Sequence, residues 1–409
     1  MLKKLFYFVV ALFLAIQFNI PVSAQEYLVV KSSINEFPIK IKIWRPTTQD
    51  TKGIVLFIPG SDGKDSSEQK TFGTEQDWSS SHPNGGLSNY IQFKNFLNDN
   101  GYVFISFNKA GRYDVSDCLK SKEERSIEDY WEHCYDNQIM QIATHRKNEE
   151  DITRIFNAVK SQDSLANLKI VLFAFSKGGD YVHRLVGTGR LNPDGIVNLG
   201  VSTESVYEDW MARATDQIAF RKVFSYMKKN NKNFISVNEI TDKVLKGPDP
   251  IELKTNYLRF QEFRDLNIDA MLPITSLKDL HKQHVDRAKQ YILDVKNANG
   301  QLGLGTYFDD HFISGDKRYS HNNETMERES IFDNFSVLDH MKNYRGARVY
   351  LYGEYDHMTI SKKNQACTKN AKCRVQEIKG LGHSMYYSSK FNHSVRKTLL
   401  QSIQFVMSK

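Results

Sequence analysis

Ser176 stands at the end of an apolar run, Ile170-Val171-Leu172-Phe173-Ala174-Phe175, and is followed by Lys177-Gly178-Gly179. A short buried strand, a serine, two glycines and a helical pattern together lift a hydroxyl onto a tight strand-to-helix turn. From there the hydroxyl can attack a carbonyl carbon. A serine needs a base to take its proton, and the base needs a carboxylate to hold it in one tautomer. Two later loops offer these groups. Asp356 lies in Gly353-Glu354-Tyr355-Asp356-His357, directly after the apolar run 347–352. It is preferred to Glu354 because the G-x-x-D spacing places it to face a histidine. His383 lies in Gly380-Leu381-Gly382-His383-Ser384, a few residues after the run 374–378. It is preferred to His357, since neighbours in sequence rarely face each other across a site. An isolated turn aspartate can be a helix cap, and an isolated loop histidine can be a solvated side chain. Here the order serine, acid, histidine and the placement of each after a strand favour a shared site.

Attack on a carbonyl also requires backbone N–H groups aimed at the developing negative charge. The residue after the nucleophile, Lys177, supplies one. The loop Pro59-Gly60-Ser61-Asp62-Gly63 follows the apolar strand Gly53–Ile58 and supplies the other, with Ser61 as the expected donor.

The elements that must hold these residues alternate. Runs 27–31 and 39–44 read as an opening hairpin, and 53–58, 102–107, 168–175, 195–200, 347–352 and 374–378 as strands, most of them short and apolar. Helical spacing covers 87–98, 139–159, 180–187 and 391–407. Buried strands alternating with amphipathic helices imply an α/β fold, a mostly parallel sheet with helices on both faces. Chemistry then belongs at the carboxyl ends of the strands, where every candidate residue falls. Residues 203–340 interrupt the alternation, with helical stretches at 206–229 and 279–295. The expected division is 1–24 as a signal peptide, 25–202 as the first part of the core, 203–340 as a mainly helical insertion and 341–409 as the second part of the core.

These motifs resemble the α/β-hydrolase superfamily, over a stretch from about Gly53 to the C-terminus outside much of 203–340. The resemblance implies that Ser176 is the nucleophile, Asp356 the triad acid and His383 the base. It also implies that the insertion is a cap shaping the substrate pocket. Ala174 stands where a glycine is usual in the G-x-S-x-G elbow, and Ile58-Pro59 precede the oxyanion loop in place of a histidine. Tyr207, Trp210, Met211, Phe220 and Phe224 either line that pocket or pack the insertion onto itself. The Ser-Lys-Gly-Gly turn is also similar to acyl-CoA thioesterases, but over too few residues to weigh. The activity implied is cleavage of a carboxylic ester through an acyl-enzyme. A peptidase, amidase or thioesterase would share that chemistry, and a binding protein could reuse the fold without it.

Composition bounds the remaining possibilities. Lys3 and Lys4, an apolar stretch from Leu5 to Ile16 and Pro21-Val22-Ser23-Ala24 form the pattern of a secretory signal cut after Ala24. The apolar stretch is short of the ~20 residues that a membrane span needs. The chain is therefore expected to be exported, to periplasm or medium, without a stable anchor. A formal charge of +7 on 409 residues is weak, and no basic cluster is interleaved with aromatics, so nucleic acid is not an expected partner. The expected partner is a small-molecule or peptide acyl substrate. The four cysteines of an exported chain suggest disulfides. Local pairing is favoured, Cys118 with Cys134 and Cys367 with Cys373. Their spacings do not suit zinc. Asp309-Asp310-His311 reads as a solvated loop, so neither metal nor cofactor is expected.

Overall fold

Five apolar segments form the centre of an eight-stranded sheet. The computed structural model describes residues 25–46, 50–60, 89–113, 118, 133–134, 136–215, 217–244, 270–297, 337–353, 367, 372–379 and 393–409. The strands are β1 (Gln25–Lys31), β2 (Pro38–Trp44), β3 (Gly53–Ile58), β4 (Tyr102–Phe107), β5 (Ile170–Phe175) and β6 (Gly195–Leu199). Four more follow: β7 (Phe234–Ser236), β8 (Met271–Pro273), β9 (Ala347–Gly353) and β10 (Cys373–Ile378). The large sheet runs β1-β2-β4-β3-β5-β6-β9-β10. The first two strands form the expected antiparallel hairpin, and β2 joins β4 antiparallel. From β4 to β10 every pairing is parallel. β7 and β8 pair separately. They are three residues each, too short for a sequence pattern to reveal.

Successive side chains of a strand point to opposite faces, and this sorts the core. Ile54, Leu56 and Ile58 of β3 join one apolar cluster, while Val55 and Phe57 join the other. The first cluster receives α3 (His145–Lys160), α4 (Gly178–Gly187) and α8 (Val337–Met341), through residues such as Ile155, Tyr181, Leu185 and Met341. The second receives α1 (Asn89–Asp99) and α9 (His393–Met407), through Phe93, Leu97, Leu399 and Ile403. With helices on both faces, strands β3 to β6 and β9 are buried along their whole length.

The helical stretch expected at 139–159 is two helices, α2 (Asn137–Gln141) and α3. The break has a capping cause. Asp136 opens α2 by accepting from the Ile139 amide, and the Thr144 hydroxyl opens α3 by accepting from the Lys147 amide. Asp151 of α3 then receives the Ser32 hydroxyl and the Ser33 amide, at 2.5 and 2.6 Å, tying the β1–β2 turn to this helix.

Between β6 and β9 lie α5 (Val206–Ala214), α6 (Gln217–Lys229) and α7 (Ile274–Asn297). They build an apolar cluster of their own. Trp210 and Phe220 are buried in it with Ile235, Leu277 and Ile292, and Met211 and Phe224 pack against it. Four of the five residues considered as pocket lining therefore pack the insertion onto itself, while Tyr207 is exposed.

Both expected disulfides are present, Cys118–Cys134 and Cys367–Cys373. No helix among the described residues is long and apolar enough to cross a membrane.

Candidate active site

Ser176 is the residue on which the chain turns from strand to helix. Its amide donates to Leu199 O at 3.0 Å, extending the β5–β6 ladder by one residue. Its carbonyl accepts from the Gly179 amide at 2.9 Å, which opens α4. The turn between these bonds puts Ser176 at φ 49°, in the left-handed region. A non-glycine residue held there costs on the order of 1–3 kcal/mol and persists only where its surroundings impose it. Ser176 is half-buried, whereas its neighbours Phe175 and Lys177 are buried.

Two glycines let three elements converge on this turn. A Cβ on Gly178 would lie 2.3 Å from the carbonyl oxygen of Ile58 and 2.8 Å from that of Pro59, so only glycine lets α4 begin against the end of β3. A Cβ on Gly60 would lie 3.2 Å from the Ser176 Cβ. The loop leaving β3 therefore abuts the elbow, where an oxyanion donor has to stand. Ser61, the expected donor, lies just outside the described residues.

Lys177 occupies the N-cap position of α4 without a capping side-chain hydrogen bond. The Gly179 and Asp180 amides donate to the Ser176 and Lys177 carbonyls, at 2.9 and 3.1 Å, and the helix dipole favours negative charge at this end. The Lys177 side chain turns away to Asp180, Nζ to Oδ2 3.0 Å, in largely buried surroundings. Burial pushes the Asp180 carboxyl up, but the Lys177 ammonium outweighs it and holds it below its usual range.

Beneath this pair, buried His145 packs on Tyr181 and donates from Nδ1 to Glu149 at 3.1 Å. Arg190 also donates to Glu149, at 2.6 Å. Burial, and then the cations Lys177 and Arg184, push His145 well below the usual histidine range, so it is neutral near pH 7. On the carboxyl side of β4, Lys109 is buried, and its Nζ donates to Gly60 O at 2.5 Å. Sequence reasoning passed over both His145 and Lys109. His145 sits in a polar helix start, and its burial comes from α4 packing over it. Lys109 had one available signal: it lies two residues past a buried strand, at the sheet edge where the candidate site was expected.

Asp356 and His383 lie outside the described residues, as does Asp309-Asp310-His311. The strands that lead to the triad candidates are described. β9 ends at Gly353 and β10 at Ile378, and they stand in sequence beside β6, parallel to the elbow strand. The loops leaving β5, β9 and β10 therefore start from one edge of the sheet. Among the described residues, no group of three or more His, Cys, Asp or Glu side chains could hold a metal ion.

An eight-stranded sheet of this order, with its second strand antiparallel and a serine elbow after its fifth, is the α/β-hydrolase fold. No family model matches the chain, and no curated protein does. Among solved structures it is similar to a lipase in its open form, at 12% identity over 94% of this chain and 100% of that one, with a TM-score of 0.45. A highly thermostable carboxyl esterase from Bacillus coagulans, in complex with glycerol, is similar at 12% identity over 94% and 100%, TM-score 0.47. Pyrococcus horikoshii acylaminoacyl peptidase is similar at 10% identity over 97% of this chain and 43% of that one, TM-score 0.45.

Proposed function

We propose that the protein is an exported serine hydrolase that cleaves a carboxylic ester through an acyl-enzyme. The observation that supports this most is Ser176 itself, held in the left-handed conformation between β5 and the start of α4. Structural convenience gives no reason to keep a serine there, because glycine would occupy the same turn without strain. A nucleophile presented on the strand-to-helix turn would.

In the proposed reaction His383 takes the Ser176 proton as Oγ attacks the acyl carbon, and Asp356 holds the imidazole in the productive tautomer. The Lys177 and Ser61 amides receive the oxyanion. Collapse expels the alcohol, which takes the proton back from His383. Water then repeats the sequence on the acyl-enzyme. Residues 203–340 are proposed as the cap over this site, and residues 1–24 as the segment that directs export. An amide or peptide bond would pass through the same acyl-enzyme; the ester is the reading to test first.

The test is labelling by a fluorophosphonate probe together with turnover of small esters, amides and peptides, run on wild type and Ser176→Ala. The expected result is ester turnover and labelling in wild type and loss of both in the variant. Undiminished labelling of Ser176→Ala would remove Ser176 as the nucleophile.

A further inference from the structure

We infer that Asp180 is a positioning residue for the site: through its buried ion pair with the Lys177 side chain it fixes the first turn of α4, and with it the Lys177 amide that the proposed reaction uses as an oxyanion donor. The inference rests on the reading of Ser176 as nucleophile.

The peptide group concerned joins Ser176 to Lys177. It is planar, so its carbonyl and its N–H turn together. The carbonyl accepts from the Gly179 amide at 2.9 Å, while the N–H donates to no acceptor among the described residues. Lys177 is pinned twice more. Its Nζ reaches Asp180 Oδ2 at 3.0 Å, and its carbonyl accepts from the Asp180 amide at 3.1 Å. Side chain and backbone thus close a ring around the first turn of α4, with Gly178 and Gly179 inside it.

Those two glycines are why the turn needs a ring. Packing requires both of them. A Cβ on Gly178 would meet the Ile58 and Pro59 carbonyls, and one on Gly179 would overlap the Val201 side chain. Yet glycine weakens a helix more than any residue except proline, so the turn that carries the amide is the least able to hold itself. The pair at i and i+3 spans that weak stretch.

Helix stability alone does not account for these residue types. A cation at the amino end of a helix opposes the dipole, and Lys177 caps no amide. The two side chains are only 7% and 13% exposed, and apolar residues of similar volume are often no less stable than a buried ion pair. What the pair adds is a directed, charge-assisted bond. The Lys177 ammonium keeps the Asp180 carboxyl ionised against its burial, so the bond persists. A fixed N–H serves an oxyanion, which forms on the way to the transition state, and does little for the bound ester.

The test compares wild type, Ser176→Ala, Asp180→Asn, Asp180→Glu and the double variant Lys177→Met/Asp180→Leu on small activated esters, reading kcat and KM separately. Fluorophosphonate labelling and thermal unfolding are measured alongside. So is inhibition by a boronic acid, whose tetrahedral serine adduct places an oxygen where the oxyanion would be. Outright removal of one oxyanion donor lowers kcat by about 10²–10³-fold. Loosening it is expected to lower kcat by roughly 10–100-fold in Asp180→Asn and in the double variant, with KM within about threefold and boronate affinity falling in step with kcat. Asp180→Glu, which keeps the carboxylate, should recover most of the loss. The double variant should melt no lower than wild type, which separates slow turnover from instability.

Turnover that survives Ser176→Ala, or a wild type inert to ester and probe alike, would overturn the nucleophile reading and with it any role for Asp180. Turnover lost in Ser176→Ala but unchanged in a folded Asp180→Asn or double variant would overturn the Asp180 assignment alone. A loss confined to KM, boronate affinity that stays put, or an Asp180→Glu no faster than Asp180→Asn would do the same. If Asp180→Asn does not melt cooperatively, the double variant, which leaves neither charge of the pair behind, replaces it. Failure of both to fold would make the pair a folding requirement and not a positioning device.

Discussion

Adding one methyl group at Gly178 should separate the two halves of the oxyanion side without touching the nucleophile. In Gly178→Ala the new Cβ would stand 2.3 Å from the Ile58 carbonyl oxygen and 2.8 Å from that of Pro59. Both obstacles are backbone, so no rotamer change relieves them. Ordinary contact begins near 3.4 Å, so α4 and the end of β3 must part by about 1 Å. Overpacking of this kind costs about 1–3 kcal/mol. The same movement carries Gly60 away from Ser176, and misplacement by about 1 Å can cost on the order of 10²-fold in rate. Ester turnover should therefore fall by that order, with a lower melting temperature but a cooperative transition and little change in KM. The assay is paired steady-state kinetics and thermal unfolding on Gly178→Ala and wild type. A variant that melts like wild type and keeps its kcat would show that β3 and α4 can part without disturbing the elbow, and the reasoning would fail.

Ser176→Gly should abolish turnover yet raise stability by roughly 0.5–1 kcal/mol, because glycine takes the left-handed conformation without strain; chemical denaturation checks this, and a less stable variant counts against strain at the elbow. Stability should also fall in acid through His183, which burial pushes down from 6.5 to about 4. The unfolded chain then binds a proton below pH 6.5 that the folded chain refuses until about pH 4, so the loss grows across that window to about 3 kcal/mol. His183→Leu should remove that share of the fall between pH 7 and pH 4, and an unchanged pH profile in the variant would exclude His183 as its source.

Residues of one type were legible and those of another were not. Runs such as Val55-Leu56-Phe57 and Val171-Leu172-Phe173 announce buried strands because both of their faces are covered, and no surface residue interrupts them. Ser176 could be found because the elbow is local: strand, turn and helix occupy the eighteen consecutive residues 170–187. The order of the strands is set by pairings across distant segments, and periodicity does not record it. The break between α2 and α3 was hidden because apolar residues keep helical spacing across it, while the Thr144 cap lacks the acidic partner that usually marks a helix start. Lys109 and His145 escaped for a related reason. Each reads as a solvated polar residue until a distant element, the β3 loop for one and α4 for the other, closes over it.

The strand order has a further consequence, for the timing of assembly. β3, β4, β5 and β6 can pair while the chain is still short, since all four lie between residues 53 and 199. β9 must find β6 across residues 200–346, and β10 can add only once β9 is in place. Pairings between segments so far apart in sequence form slowly. A nascent or truncated chain would thus display its serine turn on a half-built sheet, with the strands that lead to Asp356 and His383 still undocked. Under the proposed mechanism such a protein would be inert while it is being made, and would acquire hydrolytic power only as its last two strands arrive.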